Sequence, residues 1–141
     1  MAARKRSLPV LQSSADGEPE EPRPAWHWVG FGTIAVFAVW LPLTFVAARV
    51  AGTLTATLAA GPHVVALALA ALAGGYLVGR WGSGSREAML AGTATGGVAS
   101  IVAMFGGGPL FWLVAATVAV TAIATLFAWL GGRLGARRKL R

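Results

Sequence analysis

Four long apolar runs, none containing a charged residue in its body, constrain this chain more than any other feature. They extend from about Trp26 to Ala48, Pro62 to Gly79, Glu87 to Phe105 and Pro109 to Leu130. Each is close to the ~20 residues a helix needs to cross a hydrocarbon core. Within a bilayer the backbone must satisfy its own hydrogen bonds, and a helix does this within one segment. The pattern therefore predicts an all-α integral membrane protein with four transmembrane helices. Composition agrees, because hydrophobic residues make up 56% of the 141 and charged residues only 12%. A soluble domain is nearer a quarter charged.

Helix punctuation supports these limits. Pro62 and Pro109 each follow a glycine and sit at a helix start, where a missing N–H costs nothing. Ser85 can cap the third helix, and Glu87 suits the positive end of its dipole. Gly131 and Gly132 are expected to close the fourth. Pro42 predicts a kink in the first. Residues 50–61, "VAGTLTATLAAG", are open between an outer loop and an interfacial or re-entrant segment.

The flanks are polar. Residues 1–25, basic and then acidic with four prolines, bury too little to order themselves and read as a disordered cytoplasmic tail. The domain proper spans 26–132, and 133–141 reads as a second, basic tail. The late and long first apolar run does not fit a signal peptide. With four crossings, both tails and the middle loop share one side. That side carries Arg4, Lys5, Arg6, Arg23, Arg80, Arg86, Arg133, Arg137, Arg138, Lys139 and Arg141, whereas the other carries Arg49 alone. Eleven against one places both termini in the cytoplasm of a bacterial inner membrane. Trp26, Trp28, Trp81 and Trp129 fit the inner interface and Trp112 the outer one; Trp40 is too deep for either.

The stretch "GGYLVGRWGSGSREAMLAGTATGG", residues 74–97, is rich enough in glycine to suggest a phosphate loop. A Walker-type loop needs a strand before it and Gly-Lys-Ser/Thr at its end. Neither is present, so "GRWGSGSRE" reads as a tight turn between two membrane helices. Its glycines have another use. Ala71, Gly75 and Gly79 recur every four residues on the second helix, with Ala66, Ala70 and Gly74 alongside. Ala88, Gly92, Gly96 and Ser100 do the same on the third. Such stripes let two backbones approach closely. They predict a tight hairpin of the second and third helices, or a face for a membrane-protein partner or a second copy.

Thr117, Thr121 and Thr125 line one face of the fourth helix. Their hydroxyls can bond within the bundle or line a pore, and interhelical packing is the favoured expectation. Transport and catalytic chemistry leave ionisable residues at depth, and the body of each span has no Asp, Glu, Lys, Arg or His. His27 and His63 are isolated at opposite interfaces. With no cysteine in the chain, no metal set, cofactor site or catalytic group is expected, and no enzymatic activity. The +7 net charge lies at the membrane edges rather than on a soluble basic stripe, which argues against nucleic acid.

Small multidrug transporters have four short helices but carry a carboxylate in the first span, where this chain has none. Fluoride channels use membrane asparagines, and this sequence contains no asparagine. Phage holins end in basic tails like "GARRKLR" but have fewer spans. In composition alone, with "GGYLVGR" and its many glycines, the chain resembles small four-helix bacterial membrane proteins. The expected role is that of a structural or accessory component of a membrane complex, or alternatively a homo-oligomeric channel or carrier for a small solute or ion.

Overall fold

The computed structural model describes residues 24–55, 58–82, 84–105 and 109–139. All regular structure among them is helical: α1 (Ala25–Ala51), α2 (Gly61–Trp81), α3 (Ser85–Phe105) and α4 (Leu110–Lys139). Three of these, α1, α2 and α4 (as Leu110–Arg138), are long and apolar enough to cross a membrane. α3 is as long as α2 at 21 residues, but it begins Ser-Arg-Glu and carries Thr93, Thr95, Ser100 and three glycines. Its stretch from Ala88 to Phe105 holds no charged residue.

The contacts define an alternating bundle. On α1, Val36 faces Gly74 and Trp40 reaches the cluster of Leu67 and Ala71, so α1 and α2 run antiparallel. On α4, Ala128 faces Gly75 and Gly132 faces Gly79, so α2 and α4 run parallel. Gly92 meets Ala124 while Gly96 meets Thr121, so α3 runs against α4. α4 packs on one side of α2 and α3, and α1 packs on the other. Ala25 and the end of α4 lie at one end of the bundle, together with Trp28, Phe31 and Trp81. The expected tail, residues 1–25, lies outside the described residues apart from Pro24 and Ala25, and Ala25 already opens α1.

Three expectations need correction. Gly131 and Gly132 do not end α4, which continues for two more turns to Lys139. A glycine closes a helix by adopting a left-handed conformation, and among the described residues only Gly84 has a positive φ, at 147°. Gly131 and Gly132 are instead helical and press against the backbone of α2 and the start of α3. Residues 133–139 are therefore helical. Ser85 is the first residue of α3 rather than a residue preceding it. The expected hairpin of small faces is also not the main contact, because α2 and α3 touch each other less than either touches α4.

The connections are short. Gly82 and Gly84 carry the chain from α2 to α3, and the left-handed φ of Gly84 is one that residues with a Cβ rarely adopt. Between α1 and α2 the described residues form hydrogen-bonded turns, with Leu58 and Ala59 N–H donating to the Thr55 carbonyl and Gly61 N–H to that of Leu58. These turns are not a further helix. α1 runs unbroken through Pro42.

Candidate functional site

Among the described residues, the glycine faces bring helix backbones into close contact. A Cβ on Gly75 would fall 2.7 Å from Ala128 Cα, and one on Gly79 would fall 2.7 Å from Gly132 Cα. Both neighbours are backbone and cannot swing away. Ala71, fully buried, joins Leu67, Ala124 and Ala128 in one cluster, with Trp40, Val120, Ile123 and Phe127 around it. That position accounts for the depth of Trp40, which fills the core instead of marking an interface. Its Nε1 is buried with no hydrogen-bond partner among the described residues.

On α3, a Cβ on Gly92 would lie 2.6 Å from the Ala124 carbonyl oxygen, and one on Gly96 would lie 2.7 Å from Thr121 Cα. Ser100 donates to the Gly96 carbonyl at 2.6 Å. With Thr117, Ala99, Ala116 and Val120 it borders a recess of about 40 Å³ between α3 and α4. All six small residues therefore lie at helix contacts: Ala71, Gly75 and Gly79 on the α2 side, and Gly92, Gly96 and Ser100 on the α3 side. The facing stripe on α4 is Ala124, Ala128 and Gly132. It repeats every four residues as the others do, so the same spacing marks it in the sequence, beside the more conspicuous threonines of the adjoining face.

The threonine line meets α3 from top to bottom. Thr117 borders the recess by Ser100, Thr121 rests on Gly96, and Thr125 Oγ1 is 3.1 Å from Thr93 Oγ1. Two further hydroxyls meet at one α3 carbonyl without any signal in the sequence, Thr33 from α1 and Thr95 from α3 itself. Thr33 Oγ1 donates to the Val29 carbonyl and also reaches the Ala91 carbonyl of α3 at 3.3 Å, and the fully buried Thr95 donates to the same Ala91 carbonyl at 2.8 Å. Isolated threonines in an apolar helix carry no spacing that marks them.

The histidines stay apart. His27 is exposed and its ring lies 3.7 Å from that of Trp26, while His63 Nδ1 is 3.3 Å from the Ala59 carbonyl oxygen. No group of three metal-ligating side chains occurs among the described residues. At the end where α2 and α4 finish, Arg80 donates to Tyr76 Oη at 3.1 Å, and Arg133 lies 4.8 Å over the Trp129 ring. Arg49, at the opposite end, lies 5.8 Å from the Phe45 ring.

These features define a class: a small helical bundle held by glycine contacts, with three helices fit to span a membrane. No family model matches the chain, and no curated protein or solved structure matches it.

Proposed function

We propose that the chain is a small multi-pass protein of the bacterial cytoplasmic membrane, with four crossings and both termini in the cytoplasm, acting as a structural or accessory subunit of a membrane complex. The observation that carries this proposal is the fate of the threonines. The polar line of α4, the best candidate for a solute path, is taken up by α3 of the same chain through Gly96, Ser100 and Thr93. A helix whose hydroxyls face a neighbouring helix of the same chain supplies packing rather than conduction. The absence of Asp, Glu, Lys, Arg and His from the body of every span points the same way.

Support for four crossings comes from α3. It lies alongside α4 from Ser85, near Gly132, to Ser100, near Thr117, so a bilayer holding α4 holds α3 too. Support for the orientation comes from the eleven-to-one charge split, with Arg80, Arg133, Arg137 and Arg138 at the end shared by the two described termini. Extensive apolar surface on α1 and α4, including Ile34, Leu41, Phe45, Phe111 and Val118, suits contact with lipid or a partner helix.

The alternative is a homo-oligomeric channel or carrier, whose path would form between copies rather than through one. Purification in mild detergent separates the two. Co-purification of another membrane protein at fixed stoichiometry supports the accessory role. Solute or ion flux in liposomes holding the purified chain alone would replace it with transport.

A further inference from the structure

The extension of α4 beyond Gly132 brings the ends of two helices together. A Cβ on Gly135 would lie 2.8 Å from Arg80 N and would meet the Tyr76 carbonyl, so only a glycine allows α4 to lie this close to the last turn of α2. The result is a cleft of about 370 Å³ lined by Tyr76, Leu134, Arg137 and Arg138. Arg80 adjoins it on α2, through its 3.1 Å hydrogen bond to Tyr76 Oη. Two guanidinium groups and a phenol thus line one cleft, and a third guanidinium is bonded to that phenol. Glu87, the one carboxylate side chain among the described residues, makes no ion pair with them.

We propose that Tyr76, Arg80, Arg137 and Arg138 bind the phosphate of an anionic phospholipid headgroup. Clustered arginines repel one another until an anion joins them, and the planar guanidinium fork matches phosphate oxygens in pairs. Basic clefts between membrane helices at the headgroup level suit this ligand. Leu134, half exposed at 50%, gives the same cleft an apolar wall for the start of an acyl chain, which a free phosphate ion would not use. Tyr76 supplies a neutral hydroxyl and holds Arg80 in place. The site needs only that α2 and α4 lie in a membrane; it depends on neither the accessory role nor the orientation.

The test is native mass spectrometry of the full chain in detergent, supplied with equal phosphatidylglycerol and phosphatidylcholine. Phosphatidylglycerol adducts should dominate. They should fall about tenfold in Arg138→Gln, as expected on losing one charge-assisted contact, and further in Arg80→Gln/Arg138→Gln. Arg138→Lys, which keeps the charge without the fork, should fall between wild type and Arg138→Gln. Arg133→Gln removes an equal charge that faces Trp129 instead of the cleft, so it should retain wild-type binding. Equal loss in Arg133→Gln, or equal retention of phosphatidylcholine, would overturn the proposal. Displacement of the lipid by millimolar inorganic phosphate would also overturn it, reassigning the cleft to a soluble anion. Unchanged thermal unfolding of each variant shows that a loss is one of binding and not of fold.

Discussion

Gly96 and Gly97 are neighbours on α3 and stand in opposite situations. A Cβ on Gly96 would press into Thr121, whereas one on Gly97 would meet nothing within 4 Å. Helix association in lipid draws little on burial of apolar surface and relies on dispersion between closely approaching backbones. Gly96→Leu, and likewise Gly75→Leu against the Ala128 backbone, should therefore force helices apart and cost on the order of 1–3 kcal/mol. Gly97→Ala should be neutral or slightly stabilising, because alanine is the better helix former by about 1 kcal/mol at most. Leu69→Ile and Leu77→Ile, off the glycine face, should also be mild. Thermal aggregation in detergent ranks these variants, and equal tolerance at all five positions would remove the case for glycine-mediated packing. The four-residue spacing made Gly75, Gly79, Gly92 and Gly96 visible in sequence because spacing fixes which residues share a face. It could not say which helix covers that face, since α4 carries a matching stripe and sequence offers no measure of interhelical geometry.

At the scale of the element, α4 joins two kinds of contact along one rod. A 30-residue helix is about 45 Å long, which exceeds the ~30 Å of a hydrocarbon core. Its last turns therefore continue into the headgroup region, as Arg133, Arg137 and Arg138 require. This extension was not legible, because Gly131 and Gly132 also match the pattern of a helix end. Their meaning is set by α2: Gly131 meets the Leu72 carbonyl and Gly132 meets Gly79. Midway along α4, Thr121 rests on Gly96 and should be dry. A thiol ionises and reacts only where water reaches it, and the native chain has no cysteine. Thr121→Cys should resist a small charged thiol reagent added from either side, with Leu126→Cys and Phe127→Cys on other faces as comparisons. Rapid labelling of Thr121→Cys would show a water path along α4 and move the channel ahead of the accessory role. One hydroxyl pair should carry little energy. Interhelical hydrogen bonds in membranes average about 0.6 kcal/mol, so Thr125→Val, which breaks the contact with Thr93, should lower stability by less than Gly75→Leu does.

For the whole molecule, the decisive quantity is the number of crossings, and it turns on α3. Among the described residues three helices are long and apolar enough to cross, and three crossings would set the termini on opposite sides. By packing, α3 is enclosed on two sides: α4 meets Gly92 and Gly96, and α1 meets Ala91 through Gly32 and Thr33. A helix shielded in this way needs less apolar surface than one facing lipid all round. Its glycines and threonines then serve contact with α1 and α4 where leucines would have served contact with lipid. The charge pattern favours the proposed four crossings, since they put Arg133, Arg137 and Arg138 on the same side as Arg80 and Arg86. Reporter fusions following Gly61, Gly82, Pro109 and the C-terminus should accordingly alternate between periplasmic and cytoplasmic signals, ending in the cytoplasm. A C-terminal fusion active in the periplasm would mean that α3 does not cross. The parallel α2–α4 contact through Gly75, Ala128, Gly79 and Gly132 could not then exist within one chain, because α2 and α4 would cross in opposite directions.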